Sequence, residues 1–141
     1  MKVLKHFWLF GGILAEFTNE ELQPIRNEVK SIEANFSAAE RHNESLAGNI
    51  EKEFLLKESR QRISELCSPL IGEHIQKFEY LDEINVLSKS LPIELSKCWV
   101  NFQKKYEFNP THNHSGVFSF VLWLQVPFLQ ETEDKFSCVI S

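Results

Sequence analysis

The sequence lacks the features that would assign it quickly to several broad classes. Its 141 residues include only three cysteines, Cys67, Cys98 and Cys138, whose spacing fits neither a metal cluster nor a disulfide scaffold. No stripe of Lys and Arg is present and the formal net charge is −5, which argues against a nucleic-acid partner. No apolar run is long enough to span a bilayer, so no membrane partner is expected. Unpaired cysteines favour a reducing compartment, and the sequence therefore predicts a cytoplasmic protein.

The N-terminus combines two early lysines with an apolar run over residues 3–15. This pattern is also that of a short signal peptide, but Gly11 and Gly12 interrupt the run, and Ile13 occupies a position where cleavage prefers a small residue. We therefore favour a buried first strand that carries a glycine bulge. In a cytoplasmic chain, the two glycosylation sequons that begin at Asn35 and Asn43 have no function.

Two amphipathic segments follow, and both predict helices. The first has Thr18 and Glu21 as a capping box and an apolar stripe at helical spacing. Residues 35–50 are polar and short-sided and predict a loop that contains Gly48. The second helical segment contains Pro69, which should kink or divide it, and His74 on its apolar face is interpreted as a core or boundary histidine. The first stripe consists of Leu22, Ile25, Val29, Ile32 and Phe36. The second consists of Ile63, Leu66, Cys67, Leu70, Ile71, His74, Ile75 and Phe78.

From Lys97 onward the hydrophobic period changes from that of a helix to two. One strand is predicted near residues 97–103, and a second, apolar on both faces, near residues 117–126. Between them lie His112 and His114, two residues apart. On a strand such residues face the same side, so both imidazoles could reach one metal ion. Pro110 ends the first strand and Ser115-Gly116 turns into the second, which places the pair at a strand mouth, where ligands often bind.

Two blocks of this chain resemble phage and marine-bacterial 2-oxoglutarate/Fe(II) oxygenases, which are relatives of the prolyl hydroxylases. The resemblance extends along nearly the whole chain. The two blocks in combination are fairly specific, whereas either alone is a weak signal. They are Leu46-Ala-Gly-Asn-Ile-Glu-Lys-Glu-Phe54 and the set Trp99-Val-Asn-Phe-Gln103, His112-Asn-His114-Ser-Gly116 and Phe118-Ser-Phe-Val-Leu-Trp123.

The resemblance implies an α+β fold, in which an N-terminal strand and two to three amphipathic helices pack on a partial double-stranded β-helix, or jelly-roll, sheet. Residues 1–141 would form a single, incomplete oxygenase domain. Residues 1–92 would supply the strand and helical support, and residues 93–141 the first jelly-roll strands. The implied cofactors are Fe(II) and the co-substrate 2-oxoglutarate. These would supply the chemistry that oxidises a substrate, which the sequence does not identify. If a phage encodes the chain, the compartment would be the host cytoplasm.

Carried over residue by residue, His112 matches the first metal ligand of the family. His114 occupies the position where the family has Asp or Glu, which would leave the site one negative charge short. Asn101, Gln103 and Trp123 are candidates for lining the co-substrate pocket, although the two amides could equally be polar residues at the mouth of the sheet. No residue is assigned a catalytic role.

The sequence after His114 contains no His and no Arg, whereas the family has a distal His ligand and an Arg that pairs with 2-oxoglutarate. We expect a truncated reading frame that is inactive as it stands. Two alternatives are a non-catalytic jelly-roll accessory or binding module, and a cupin-like metal protein with His-only ligation completed by a dimer partner. Truncation would also expose an apolar sheet edge, through which the chain is expected to self-associate.

Overall fold

The computed structural model contains two helices and two small antiparallel sheets within the part of the chain that it describes. No helix in that part is long and apolar enough to cross a membrane. The architecture is therefore mixed α and β, as expected, whereas the jelly-roll stays a prediction. The described residues are 1–7, 11–43, 46, 48–78, 92–110, 112, 114 and 116–126.

The N-terminal segment forms a two-stranded antiparallel sheet rather than the single strand expected from its sequence. Strand β1 (Lys2–Phe7) pairs with β2 (Gly12–Glu16), and a register shift lies between Val3 and Lys5 instead of at the glycines. Gly11 precedes β2 with φ +61°, a conformation that glycine adopts at little cost. The residues of β2 are half-buried or exposed, so the prediction of a buried strand is wrong for them.

Helix α1 (Asn19–Ala34) begins with the capping box predicted from the sequence. The Thr18 hydroxyl accepts from the Glu21 backbone N–H at 3.2 Å, and the Glu21 carboxylate accepts from the Thr18 N–H at 2.8 Å. These bonds satisfy two donors that a helix start leaves without intrahelical partners. Leu22, Ile25 and Ile32 of the predicted stripe are buried, which confirms the inward face of the helix.

The segment that leads into helix α2 (Arg60–Phe78) is held by a side chain of α1. The buried Glu28 carboxylate of α1 accepts from the backbone N–H groups of Lys57, Glu58 and Ser59 at 2.6, 2.9 and 2.8 Å, and from the Ser59 hydroxyl. Burial raises the pKa of Glu28, but these donors outweigh burial and hold it below the ordinary value. Pro69 is exposed and does not divide the helix, which runs through it.

The second sheet consists of β3 (Glu53–Leu55) and β4 (Trp99–Asn101). The change of the hydrophobic period to two near residue 97 therefore correctly predicted a strand, which is β4. Phe54 is 1% exposed, and its ring stacks on Phe36 at a centroid distance of 5.2 Å. One core joins this sheet to both helices, and its buried members are Leu22, Ile25, Ile32, Phe54, Leu56, Ile63, Leu66 and Cys98.

Residues 117–126 have no strand, so the prediction of a second strand there is wrong for the described structure. Leu122 and Leu124 pack against the core, whereas Val121 and Trp123 are 71% and 66% exposed. Alternating apolar residues favour a strand, but a strand also needs neighbouring backbone groups as hydrogen-bond partners. Residues 117–126 are instead held by a side chain of α1. The Arg26 guanidinium donates to the Leu124 carbonyl at 2.8 Å.

Candidate metal centre

The two sequence blocks that carry the resemblance lie against each other in the structure. The Asn49 backbone N–H donates to the Phe108 carbonyl at 3.2 Å, and the Phe108 N–H donates to Asn49 Oδ1 at 2.7 Å. The Glu107 carboxylate accepts from the backbone N–H groups of Glu51 at 3.2 Å and Lys104 at 2.7 Å. These bonds tie residues 104–108, which lead to the histidine pair, to the loop that precedes β3.

His112 and His114 are both exposed, and the structure brings their rings together with centroids 4.6 Å apart and planes at 60°. His112 Nδ1 lies 2.7 Å from the Pro110 carbonyl oxygen. A carbonyl only accepts, so Nδ1 carries the proton, and in the neutral ring the lone pair is on Nε2. Metal-binding histidines are commonly oriented by such a bond from the other ring nitrogen.

The spacing of the two rings fits a shared metal ion. A metal–nitrogen bond of about 2.1 Å places each imidazole centre roughly 3.2 Å from the ion, so two ligands at right angles have centres about 4.5 Å apart. The observed 4.6 Å is close to this distance, which is also an ordinary spacing for two rings in contact. Two imidazoles are the nitrogen part of a facial site for Fe(II). The described residues contain no group of three or more His, Cys, Asp or Glu side chains able to hold a metal.

The three residues predicted to line a co-substrate pocket are not brought to the histidine pair. Asn101 lies on β4, where it is the cross-strand partner of Glu53. Gln103 is exposed, and its amide donates to the Glu107 carbonyl. Trp123 is also exposed. Within the described part of the chain, no hydrogen bond or ring contact joins any of the three to His112 or His114. Their assignment to the co-substrate stays a prediction.

His74 and His42 have structural surroundings. The His74 ring lies beside those of Phe78 and Phe118, with centroids 4.7 and 5.1 Å away, and its Nε2 lies 2.5 Å from the Gly11 carbonyl oxygen. This environment agrees with the interpretation of His74 as a boundary histidine. His42 is buried, with its ring centre 5.4 Å from that of Trp99.

Sequence reasoning missed a buried polar group next to β4. Glu53 is 3% exposed, and its carboxylate accepts from the Asn43 amide at 3.3 Å. Within the described chain, Glu53 Oε1 and Asn101 Oδ1 are buried without a hydrogen-bond partner. Burial and the Glu107 carboxylate raise the pKa of Glu53 above its ordinary value. No sequence signal marks this residue, because Glu53 lies in a charged run that resembles an exposed surface.

Comparisons of the chain with protein-family profiles, with curated proteins and with solved structures found no match.

Proposed function

We propose that this chain belongs to an Fe(II)/2-oxoglutarate-dependent oxygenase, in which His112 and His114 are two of the metal ligands. The observation that carries the proposal is the paired geometry of these two rings, with centroids 4.6 Å apart, together with the bond that leaves the lone pair of His112 on Nε2. The contact between the two blocks of the chain supports it, because it anchors the segment that leads to the histidines.

The roles of the protein's own residues follow from their positions. His112 and His114 would hold the ion, and Pro110 would keep the His112 ring in one tautomer and orientation. Iron and 2-oxoglutarate, when bound, would supply the oxidation of a substrate. In this proposal β3 and β4 begin the jelly-roll, the protein is cytoplasmic, and the exposed residues near Trp123 mediate self-association.

The ligand set differs from that of the family in two respects. His114 replaces a carboxylate, and residues 115–141 contain no further histidine. A His-only metal protein therefore remains a second candidate, favoured by the presence of two imidazoles where the family has one imidazole and one carboxylate.

Metal binding is best tested by nuclear magnetic resonance of the histidine ring protons during titration with Co(II), a paramagnetic substitute for Fe(II). We expect the signals of His112 and His114 to broaden or shift first, and those of His42 and His74 to serve as internal controls. Uniform broadening, or none, would overturn the assignment of the metal ligands. A His112→Ala/His114→Ala variant should abolish the selective effect while its circular dichroism stays that of the wild type.

The reaction class needs a separate measurement. We expect the longest natural reading frame that contains residues 1–141 to form succinate from 2-oxoglutarate in the presence of Fe(II), and the double variant to lose this turnover. Selective Co(II) binding without any succinate formation would reject the oxygenase and favour the His-only metal protein. Undiminished turnover in the double variant would show that the iron is held elsewhere.

A further inference from the structure

A surface cavity of about 570 Å³ lies beside β3. Three segments form its walls. They are residues 40–42, residues 55–57 together with Arg60 at the start of α2, and residues 96–98. A cavity of this size suits a small molecule rather than an extended polymer.

The lining of this cavity is basic, although the chain as a whole is acidic. Four cationic side chains line it against one carboxylate, that of Glu40, whereas the net charge of the whole chain is −5. Glu40 forms an ion pair with Lys57, and both side chains remain more than half exposed. The cationic residues are Arg41, Lys57, Arg60 and Lys97. Clustered positive charge in a concave site raises the local concentration of anions.

Two of these cations are held in place by backbone carbonyls. The Arg60 guanidinium donates to the carbonyl oxygens of Ser96 at 2.8 Å and of Leu95. Arg41 donates to the Glu51 carbonyl at 2.7 Å. Each of these bonds uses only part of a guanidinium, whose remaining N–H donors can serve a ligand. Because carbonyls fix the planar groups without neutralising them, less side-chain entropy is lost when an anion binds.

His42 gives the cavity a buried titratable group. It is 8% exposed and lies against Trp99. Burial and the positive charge of Lys97 hold the pKa of His42 below its ordinary value, while Glu40 opposes them. The other charged groups that line the same cavity are Arg41, Lys57 and Arg60. The negative charge of a bound anion would counteract these positive charges and so raise the pKa of His42. The ring protons of His42 would therefore report binding.

We propose that this cavity binds a small multivalent anion that carries carboxylate or phosphate groups. The proposal is independent of the metal centre, because none of the residues that line the cavity belongs to the segment that holds His112 and His114. The four cations and the concave shape carry it together, since neither surface lysines alone nor a neutral cavity would select an anion.

The test is a titration of the wild-type protein at low ionic strength with three separate probes, inorganic phosphate, succinate and acetate. We expect saturable binding of phosphate or succinate, little binding of acetate, and a rise in the pKa of His42 measured from its ring protons. The stronger of the first two probes identifies the anion as phosphate-bearing or carboxylate-bearing. Absence of saturable binding by both would overturn the proposal.

A charge-matched pair of variants separates a built site from general attraction. Lys57→Gln/Lys97→Gln removes two positive charges from the cavity, and Lys30→Gln/Lys77→Gln removes two from exposed helix positions. We expect the cavity variant to lose at least about tenfold in affinity, and the helix variant to bind as the wild type does. Equal losses in both variants would show binding by net charge alone and would reject the site.

Discussion

Gly48 passes so close to Asn109 that a side chain at position 48 has no room. A Cβ atom there would lie 2.8 Å from the Phe108 carbonyl oxygen and still closer to Asn109 Oδ1. The residue also has φ +119°, a backbone conformation that side-chain-bearing residues rarely adopt. The loop before β3 and the segment before the histidine pair can therefore approach each other only because residue 48 is glycine.

Gly48→Ala should destabilise the protein by about 1–3 kcal/mol, because both the strained backbone and the clash oppose folding. Gly72→Ala is the matched control, since Gly72 lies in the middle of α2 with open space around its Cα. Alanine there should stabilise the protein by about 0.5–1 kcal/mol. Urea denaturation measures both changes. A Gly48→Ala variant as stable as the wild type would contradict the close approach.

Glu28→Gln should lower the free energy of unfolding by about 2–3 kcal/mol at neutral pH, because an amide cannot accept all the donors that the carboxylate binds. The pKa of Glu28 is lowered in the folded state, so its stabilisation is present above the ordinary value of 4.5 and is lost as pH falls through the folded value. The difference between wild type and variant should therefore shrink in acid.

The control for this prediction is Glu33→Gln, on the exposed side of the same helix. It should change stability by less than about 0.5 kcal/mol. Denaturant unfolding followed at several pH values measures both variants. A constant difference between Glu28→Gln and wild type across pH would show that the charge of Glu28 does not matter.

Glu53→Gln should leave the protein as stable as the wild type in acid and make it more stable near neutral pH. Burial raises the pKa of Glu53 in the folded state, so wild-type stability falls as pH rises from about 4.5 through the folded value. A glutamine carries no charge, so the variant avoids the cost of burying an ionised carboxylate as the pH rises.

The pH dependence of thermal unfolding tests this, with the exposed Glu94→Gln as control. The Glu53→Gln variant should gain on the wild type as pH rises, while the control should follow the wild type. A Glu53→Gln variant that loses stability near neutral pH would mean that the Glu53 charge is compensated in the fold, against the direction of its pKa shift.

Local sequence patterns correctly predicted those elements that interactions between neighbouring residues determine. Thr18 and Glu21 lie three residues apart, and their capping box forms as that spacing predicts. The stripe from Leu22 to Ile32 faces the core, and the change of period near residue 97 yields β4. The rings of His112 and His114 also lie close together, but neither residue is in a strand, so the strand geometry behind that prediction is not what pairs them.

The same patterns failed where the answer depends on distant backbone. The apolar alternation of residues 117–126 did not form a strand, because a strand exists only where another segment offers its N–H and C=O groups. The run before Gly11 paired with the run after it instead of forming one buried strand. Pro69 also did not divide α2, which runs through it.

The sequence by itself determined the helix start at Thr18 and the inward faces of both helices, because spacing along one element decides each of them. Tertiary structure alone decided that Glu28 binds the backbone N–H groups just before α2, that Glu53 is buried and that four cations from three segments share one cavity. These features join residues far apart in the chain, and no local period records which distant groups will meet. Burial and distant hydrogen-bond donors together then shift the pKa values of Glu28 and Glu53, which is why these shifts could not be read from sequence.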